Sequence, residues 1–449
     1  MELPQYVRRC IDALENAGYE AYAVGGCVRD HLLGLQPHDY DLCTSALPDQ
    51  TQRVFTGENL VLAGLKHGTV GVVTEGGVVE ITTYRTEGGY QDSRHPDWVK
   101  FVPDIREDLA RRDFTVNAMA YSPTRGYCDP FGGQQDLKMG ILRAVGHAPP
   151  RFSEDALRIL RGVRLAARFR LTPESATMDA MNGLSPTLDK LARERVFEEL
   201  CKLLLAAQPE DLLRYSHILA AAIPELGPMI GFDQRSPHHA FDVFTHTAYV
   251  CGGVPKELPL RWTALLHDVG KPPCFTTDST GRGHFYGHAQ IGSNMADAIL
   301  RQLKAPTALR ERVVFLIHHH MTSLPPDRKI LRRRLSQFGQ EAVWQLLALQ
   351  RADFGGKGVF GEITNFDEVE AMLHTLIAED ACLRIKDLAV TGKDLMAIGF
   401  PAGPQLGQCL NHLLEQVLDE TLPNEKSSLL DCAAAFLGKC RGKNHEITA

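Results

Sequence analysis

A glycine pair followed by two closely spaced aspartates constrains this chain more than any other feature of its sequence. Gly25 and Gly26 follow a short apolar run at residues 21–24, and Asp39 and Asp41 come soon afterwards. Glycine lets a backbone approach a ligand closely, and a helix beginning after the pair would direct free N–H groups at an anion. Alternate residues of a strand share one face, so the two carboxylates would project together. The stretch therefore predicts a phosphate cradle beside a divalent-metal site, an arrangement suited to phosphoryl or nucleotidyl transfer.

The alternative for this stretch is a surface turn with solvated acids, and its neighbours weigh against that alternative. Arg29 and Asp30 follow the glycines directly. Residues 67–74 and 78–84 are β-rich and flank a Glu-Gly-Gly turn, a pattern typical of a β-hairpin. Glu80 lies on the second strand and is a candidate third acid beside the aspartates. The alternative for Glu80 is a surface carboxylate on an edge strand.

A charged segment beyond the hairpin adds candidate nucleotide ligands. Arg111 and Arg112 suit triphosphate contact because guanidinium groups match phosphate oxygens in a bidentate way. Asp113 and Asn117 lie one turn apart if the segment is helical, where they would grip a sugar or order the neighbouring arginines. Residues 86–103, just before this segment, are rich in turn formers and charge, which predicts a mobile loop.

From Ser153 onwards the hydrophobic pattern is helical. Ser153 is the predicted N-cap, with Glu154 and Asp155 in the first turn. Asp155 and Arg158 are three residues apart and share a helix face, where an acceptor beside a donor would recognise the edge of a base without a template. The alternative, which spacing alone favours, is a set of capping acids with an intrahelical salt bridge.

A second set of candidate ligands consists of histidines and aspartates at or near the ends of predicted helices. Neutral imidazole and carboxylate both bind divalent metals, and an adjacent His-Asp pair at a helix end can turn towards one ion. A set of this size argues against a single satisfied core histidine. The candidates are His246, His267, Asp268, His288, Asp353 and the triple histidine at 318–320. The sequence does not separate His318, His319 and His320, and we take His319 as the ligand.

Length, composition and charge limit the classes of protein to which this chain can belong. The 449 residues exceed one hydrophobic core, so we expect roughly three domains of ordinary size. We expect neither a membrane helix nor a signal peptide, because no long apolar run and no basic N-terminal segment with an apolar core are present. Eleven cysteines without C-x-x-C spacing predict reduced thiols and a cytoplasmic protein. The net charge of −7 does not indicate a nucleic-acid binder, but basic runs at 151–170 and 328–334 would track a phosphate backbone or form solvated helix faces.

Residues 22–200 closely resemble the tRNA nucleotidyltransferases of the bacterial and eukaryotic type, the CCA-adding enzymes, and the related bacterial poly(A) polymerases. All belong to the DNA polymerase β-like superfamily. The resemblance is carried, in the family's order, by Gly25-Gly26-x-x-Arg29-Asp30, Asp39-x-Asp41, residues 107–118, Asp129-Pro130-x-Gly132-Gly133, Glu154-Asp155-x-x-Arg158 and Glu194-Arg195.

This resemblance implies template-independent addition of CMP, CMP and AMP from CTP and ATP to the 3′ end of tRNA. It implies that Asp39 and Asp41 bind two Mg²⁺ ions, with Glu80 as the further candidate acid. The nucleotide ligands would be Gly25, Gly26, Arg29, Arg111, Arg112, Asp113, Asn117, Asp155, Arg158 and Arg161. The segment at 86–103 looks like the family's flexible loop at full length, which favours complete CCA addition. An A-adding enzyme or a poly(A) polymerase is the alternative.

Residues 240–355 resemble an HD-type metal phosphohydrolase domain. His246, the His267-Asp268 pair and Asp353 follow its four-ligand order, and His288 with one member of the triple histidine resembles the extra ligands of two-metal members. The resemblance implies a divalent metal of unknown identity and hydrolysis of phosphoesters. The competing interpretation is a metal-stabilised structural module. A further alternative for the whole chain is a metal phosphohydrolase whose N-terminal half only binds RNA.

We therefore expect a multidomain α+β protein in four parts. A polymerase β-like nucleotidyltransferase head with a small mixed sheet covers 1–145, and a helical nucleotide-reading and RNA-binding region covers 146–235. An HD-type helical domain covers 236–385, and a helical tail covers 386–449. The expected partners are tRNA, CTP and ATP, with no membrane, and the sequence does not give the oligomeric state.

Overall fold

The computed structural model describes residues 1–88, 98–358, 365–379 and 382–446. Its N-terminal part is an α+β head in which helices pack on a mixed sheet, and the remainder is mainly helical. The fold class predicted from the sequence, a head with a small mixed sheet followed by helices, is confirmed. Among the described helices, none combines the length and the apolar character needed to cross a membrane.

The head is built on a sheet whose two neighbouring central strands run parallel. Its strands are β1 (Ala21–Val24), β2 (Asp41–Thr44), β3 (Leu60–Val61), β4 (Thr69–Thr74), β5 (Gly77–Thr83), β6 (Arg85–Gly88), β7 (Trp98–Phe101), β8 (Ala120–Ser122) and β9 (Gly126–Cys128). Seven of them form one sheet in the order β3-β4-β5-β2-β1-β8-β9. The β2–β5 pair is parallel, and the other pairs in this sheet are antiparallel.

Three sequence predictions for the head can be compared with this sheet. The predicted hairpin is confirmed, because β4 and β5 pair antiparallel with Thr74 opposite Gly77. The strand predicted from Asp39 begins later, at Asp41, so Asp39 lies just before the strand. The predicted loop at 86–103 is partly regular, since β6 and β7 form an antiparallel ribbon with Arg85 opposite Phe101. Ladder hydrogen bonds satisfy the backbone there even though the segment has little apolar content, and residues 89–97 lie outside the described part of the chain.

Five α-helices belong to the described part of the head. They are α1 (Gln5–Asn16), α2 (Gly26–Leu32), α3 (Pro48–Val54), α4 (Ile105–Ala110) and α5 (Gly133–Met139). In α1 the buried residues Val7, Cys10, Ile11 and Leu14 recur at helical spacing, which is why this segment is a helix that packs on the sheet.

The helical part begins with two helices where the sequence predicted one start at Ser153. The elements are β10 (Ile141–Leu142), α6 (Ala148–Glu154), α7 (Leu157–Phe169), β11 (Thr172–Pro173), α8 (Ser175–Leu184), α9 (Arg193–Ala206), α10 (Pro209–Arg214) and α11 (Ser216–Ala222). The N-cap prediction is wrong, because prolines suited to a first helical turn start α6 at Ala148 and put Ser153 inside it. Asp155 has an extended backbone that ends α6, and its carboxylate accepts a hydrogen bond from the Leu157 N–H at 3.0 Å at the start of α7.

The rest of the described chain is a set of packed helices with one short β-ribbon. The elements are α12 (Val243–Gly253), α13 (Leu258–Leu266), α14 (Lys271–Cys274), β12 (Thr276–Thr277), β13 (Gly283–His284), α15 (His288–Gln302), α16 (Thr307–His319), α17 (Arg328–Phe338), α18 (Gln340–Gly355), α19 (Phe366–Ala378), α20 (Gly392–Ala397), α21 (Pro404–Leu418) and α22 (Lys426–Glu446). The β12–β13 ribbon is antiparallel, with Thr276 opposite His284.

The buried apolar side chains of the described residues form one large core, a separate tail core and two smaller clusters, one in the head and one among α16 to α19. The large core includes residues from Val7 to Ala352, so packing is continuous across the predicted boundaries near 145 and 235. Trp262 on α13 illustrates this continuity: its ring stacks on Phe197 of α9 at 5.6 Å, and its indole N–H donates to Cys201 Sγ at 3.3 Å. The tail core lies between Cys382 and Leu437. The division into four domains stays a prediction.

Candidate functional site

A polar cavity of about 400 Å³ lies between the head and α7. Its lining comes from segments that are far apart in the sequence. The lining residues are Gly25, Gly26, Arg29, Asp41, Arg111, Arg112, Asp113, Asn117, Asp155, Arg158, Arg161, Arg164 and Leu165. The ten nucleotide ligands predicted from the sequence are therefore gathered around one cavity, together with one of the predicted metal ligands.

The glycine pair forms the turn between β1 and α2 at the edge of this cavity. Gly25 has a φ of +74°, a backbone conformation that side chains disfavour. A Cβ atom at this position would lie 2.9 Å from Arg112 Nη1. The Gly25 N–H donates to the Met119 carbonyl at 3.0 Å, which ties the turn to the chain beside β8. Glycine is therefore required here both by the turn and by the close approach of an arginine.

Two of the three candidate acids, Asp41 and Glu80, pair on the sheet beside the cavity, and Asp39 lies close to Asp41 just before the strand. Asp41 stands opposite Glu80 in the parallel β2–β5 pair. Burial of the Asp41 carboxyl raises its pKa, the negative charges of Glu80 and Asp39 raise it further, and Arg112 acts in the opposite direction. Carboxylates that repel one another in this way form a set of hard oxygen donors whose charge a divalent cation would balance. The donor set fits Mg²⁺.

A chain of hydrogen bonds links α2 to α7 through the cavity lining. Arg29 Nη1 donates to Asn117 Oδ1, the Asn117 amide donates to Asp113 Oδ1 at 3.1 Å, and Arg161 Nε donates to Asp113 Oδ2 at 2.9 Å. Burial alone would raise the pKa of Asp113, but Arg161 and the Asn117 amide bring it down to about 2. The contact is made by a 3₁₀ turn at Thr115–Asn117 and not by the predicted helical spacing, since Asp113 precedes the turn.

Arg111 and Arg112 are held by an acid that the sequence analysis missed. The buried Asp108 accepts a hydrogen bond from Arg111 Nε at 3.0 Å and one from Arg112 Nη2 at 3.3 Å. Burial raises the pKa of Asp108, but the two arginines outweigh it and leave that pKa below its usual value. Asp108 lies three and four residues before these arginines, and this helical spacing was the signal that could have identified it.

Asp155 and Arg158 line the cavity together, but each is held by a different partner. Asp155 Oδ2 accepts from Arg195 Nη2 at 2.9 Å, while Arg158 Nη1 donates to Glu154 Oε2 at 2.7 Å. Arg158 also donates to the Arg151 carbonyl at 2.9 Å. The capping acid of the alternative interpretation is present, since Asp155 accepts from the Leu157 N–H. The salt bridge joins Glu154 at the end of α6 to Arg158 in α7, so it links two helices instead of lying within one. These contacts hold both side chains in place at the cavity, so the two interpretations are compatible.

The second candidate centre is a buried cluster of histidines and aspartates from five segments. The side chains of His246, His267 and Asp268 are almost fully buried. His246 Nε2 lies 3.0 Å from Asp353 Oδ1 and 3.5 Å from Asp268 Oδ2, and His267 Nε2 lies 3.3 Å from Asp268 Oδ2. Candidate ligand atoms of His246, His267 and Asp268 lie within 4.8 Å of one another, and so do those of Asp268, His288 and His320. Asp268 is thus shared between two ligand groups.

The choice of His319 within the triple histidine is corrected by the structure. His320 is buried, and its Nε2 lies 3.2 Å from His288 Nε2. His319 instead packs its ring against Phe315 and Phe338, each at 4.6 Å between centroids, and His318 is exposed. Successive residues at the end of α16 point in different directions, so only His320 faces the cluster.

The residues of this cluster fit a metal ion. His246 Nδ1 is a buried side-chain atom without a hydrogen-bond partner, and the candidate ligand atoms His267 Nε2 and Asp268 Oδ2 are buried 3.3 Å apart. Burial alone would lower the pKa of His267, but Asp268 and Asp353 raise it to about 10. Imidazole nitrogen combined with carboxylate oxygen is a donor set suited to divalent transition metals.

Comparison with known proteins identifies the family. The model of the Poly A polymerase head domain matches residues 21–143, that of the probable RNA and SrmB-binding site of polymerase A matches 170–229, and that of the putative tRNA nucleotidyltransferase domain 2 matches 284–433. The CCA-adding enzyme of Levilactobacillus brevis is 34% identical over 95% of this chain and 96% of its own length. That of Streptococcus mutans is 32% identical over 96% and 97%. The chain belongs to the family of CCA-adding enzymes.

Solved structures agree with this family. The Bacillus stearothermophilus CCA-adding enzyme in complex with CTP covers 99% of this chain and 100% of its own, with a TM-score of 0.73 and 28% identity. The Thermotoga maritima CCA-adding enzyme complexed with tRNA_CCA has a TM-score of 0.57 at 21% identity, covering 97% of this chain and 96% of its own, and so supports the fold alone. The resemblance to the CCA-adding enzymes predicted from the sequence is confirmed, and the resemblance of residues 240–355 to an HD-type domain stays a prediction.

Several residues around the two centres of this CCA-adding family member were missed by the sequence analysis. Arg164 lines the first cavity, and its Nε donates to Glu199 Oε2 at 2.6 Å. His239 lies beside the second cluster with its ring 5.1 Å from that of His246, and burial lowers its pKa to about 3. Arg164 belongs to the same helical face as Arg161, so the spacing of the arginines could have identified it. We find no sequence signal for His239.

Proposed function

We propose that this chain adds CMP, CMP and AMP from CTP and ATP to the 3′ end of tRNA without a template. The observation that carries the proposal is one polar cavity, which has Asp41 of the sheet in its lining together with the Asp155 and Arg158 pair, in a member of the CCA-adding family. A cavity with a phosphate side and a base side matches the needs of a nucleoside triphosphate.

The roles of the cavity residues follow from their chemistry. Asp39 and Asp41, with Glu80 beside them, would hold Mg²⁺, which when bound lowers the pKa of a 3′-hydroxyl and neutralises the triphosphate. Gly25, Gly26 and Arg29 would approach the phosphates, with Arg111 and Arg112 offering further guanidinium groups. Asp113 and Asn117 would face the sugar.

Base selection is assigned to Arg158 of α7 and to Asp155, two residues before that helix begins. The carboxylate of Asp155 is an acceptor and the guanidinium of Arg158 is a donor, and each is oriented by a charged neighbour. A pair oriented in this way presents fixed hydrogen-bonding groups to the edge of a base, so discrimination comes from protein side chains and not from a template strand. Arg161 would support the pair through its contact with Asp113.

Incubation with tRNA that lacks its terminal CCA tests the proposal. With CTP alone we expect two C residues, with ATP alone on a tRNA ending in CC we expect one A, and with both nucleotides we expect complete CCA. Failure to incorporate C would reject the proposal, and incorporation of A alone would favour the A-adding or poly(A) alternative. The complex of the Bacillus stearothermophilus enzyme with CTP supports a nucleotide as partner, and the match to a tRNA nucleotidyltransferase domain supports tRNA.

We propose a reducing, cytoplasmic setting for this activity. The cysteines of the described residues are free thiols, most of them buried. Burial raises the pKa of thiols such as Cys27, to about 12, which keeps them protonated and unreactive. Alkylation of the native protein with and without reductant should give the same few labelled sites if the thiols are reduced throughout.

We also propose a second function, metal-dependent phosphoester hydrolysis at the cluster of His246, His267, Asp268 and Asp353. Two ligand groups that share Asp268, together with His288 and His320, favour it. The metal, when bound, would activate water for attack on phosphorus. The chain's own residues supply the ligands, and Lys271, 2.7 Å from Asp268, orients that carboxylate.

Assays of the purified full chain with simple and cyclic phosphoesters and added Mn²⁺, Ni²⁺, Mg²⁺ or Zn²⁺ test this second function. Turnover that a chelator removes is the expected result. Tight metal binding without hydrolysis of any phosphoester would favour the structural module, and absence of metal binding would reject both interpretations of the cluster.

A further inference from the structure

The second cluster opens into a cavity of about 270 Å³ whose rim carries an exposed aromatic side chain. Tyr286 lines this cavity together with Asp268, His288 and His320. It is 78% exposed, more than any other large hydrophobic side chain in the described part of the chain. Met321, at 65% exposure, lines the same cavity. Exposure of two large apolar side chains beside a polar cluster favours a ligand that has an apolar part.

The exposed ring is supported from one side. Tyr286 stacks on His284, with ring centroids 5.4 Å apart and planes 6° apart. His284 ends the β12–β13 ribbon, and its Nε2 lies 2.9 Å from Asp278 Oδ2. Because the supporting imidazole is itself fixed, the tyrosine presents a flat surface to solvent at the mouth of the cavity. Such a surface can stack with a planar ring at little cost in side-chain entropy.

The same cavity contains two lysines whose ammonium groups differ in their contacts. Lys271 Nζ is buried between Asp268 Oδ2 at 2.7 Å and Gln234 Oε1 at 2.9 Å. Lys357 Nζ is only within 3.9 Å of Asp353 Oδ2. Lys271 is thus engaged in holding a ligand carboxylate, while the ammonium of Lys357 can turn to an incoming anion. A lysine ammonium is a compact charge suited to phosphate.

We infer that Tyr286, backed by His284, is the base-recognition platform of the second centre, and that its ligand is a phosphoester carrying a nucleobase. The base would stack on Tyr286 while its phosphate reaches Lys357 and the histidine cluster. This inference rests on the phosphoester site proposed above. Stacking on an aromatic ring tolerates any base, so the cavity would prefer nucleotides over base-free phosphoesters without selecting among the four bases.

Photo-crosslinking of the full chain with 4-thiouridine 3′-monophosphate tests the platform directly. The reaction is run with a chelator, which prevents turnover. Mass spectrometry locates the modified peptides and so distinguishes an adduct at this site from one in the head. We expect an adduct on the peptide that contains Tyr286. Tyr286→Ala should reduce it about tenfold, the order expected for the loss of one base–aromatic stack. Tyr286→Phe should retain it, and Tyr127→Ala, an exposed tyrosine on β9, is the matched control.

Kinetics with Mn²⁺ give the second readout. Tyr286→Ala should raise KM for uridine 3′-monophosphate about tenfold and leave kcat, and all parameters for glycerol 2-phosphate, unchanged. If the unmodified chain hydrolyses neither compound, the proposed hydrolase activity is rejected. The crosslinking result still tests whether a base stacks on Tyr286. The inference is overturned if the unmodified chain forms no adduct at this peptide or if Tyr286→Ala leaves the adduct undiminished. It is also overturned if Tyr286→Ala raises KM equally for uridine 3′-monophosphate and glycerol 2-phosphate.

Discussion

The two candidate metal centres of this chain differ in what surrounds their carboxylates. In the head, Asp41 faces Glu80 and Asp39, and its pKa is raised by burial and by these acids. In the second cluster, Asp268 lies beside His267 and Lys271, and these cations outweigh burial and keep its pKa well below the usual range. The head therefore gathers negative charge, while the second cluster already balances its charges within the protein.

We propose that this difference corresponds to two ways of using a metal. Mg²⁺ keeps several waters and commonly arrives with substrate phosphates, bound through one or two carboxylates. The head, with accessible acids beside a cavity, suits a metal that enters with a nucleoside triphosphate. Buried imidazole and carboxylate groups make a preformed site for a transition metal. A metal at the second cluster would displace the proton of His267, and we propose that such a metal stays with the protein when no substrate is bound.

The largest expected effect comes from removing two of the candidate metal-binding carboxylates of the head. Asp39→Ala combined with Asp41→Ala should lower the rate of nucleotide addition by at least about a thousandfold, because charge developing on the transferred phosphoryl group would lose its counter-charge. Addition of CTP-derived radiolabel to tRNA without CCA measures this. Any phosphoester hydrolysis should persist in the same preparation. Retained addition would mean that the metals of the reaction are held elsewhere.

The reciprocal change tests whether the second centre keeps its metal. Protein purified without chelator should contain about one to two equivalents of transition metal, measured by elemental analysis. His267→Ala combined with Asp268→Ala should lose that metal and leave the addition rate unchanged. Because both residues are buried, His288→Ala, a less buried ligand, serves as the variant that should still fold. Unchanged metal content in both variants would contradict the assignment of the centre.

The head was predictable in large part because its motifs are local. Gly25, Gly26 and Arg29 belong to a single turn and helix, and the hairpin placed Glu80 on the strand that pairs with that of Asp41. The residues that hold the ligands were harder to predict. Asp108 has a helical spacing to its arginines, but Arg195 reaches Asp155 from forty residues away, and only the packing of α7 against α9 brings the two together.

The second cluster shows the limit of spacing arguments. The order of His246, His267, Asp268 and Asp353 was sufficient to predict that they meet. The sequence could not choose within the triple histidine, because the choice depends on how α16 ends and on the aromatic contacts that take up His319. Side-chain direction at a helix end is set by tertiary packing, which no periodicity encodes.

An intermediate effect is expected from the base side of the head cavity. Asp155→Asn keeps an oxygen that can accept from the Leu157 N–H but removes the charge that faces Arg195. We expect kcat/KM for CTP to fall about tenfold, with weaker discrimination between CTP and ATP. Asp179→Asn, at an exposed acid on α8, is the control. If discrimination between CTP and ATP is unchanged, Asp155 has no role in base selection and serves only to cap the helix.

The smallest effect concerns Asp113, an acid of the head that is balanced by a cation in the way Asp268 is. Its folded pKa of about 2 lies below the ordinary value of 3.8, so its stabilisation is present above about pH 4 and is lost as pH falls towards 2. Asp113→Asn should lower the free energy of unfolding at pH 6 by about 1–2 kcal/mol. This value is smaller than the full equivalent of the pKa difference because solvent screens the partly exposed Arg161. Urea unfolding at pH 6 and pH 3 should show the difference between wild type and variant narrowing at the lower pH. The exposed Asp189→Asn is the control, and a difference that stays constant with pH would contradict the charge balance assigned to Asp113.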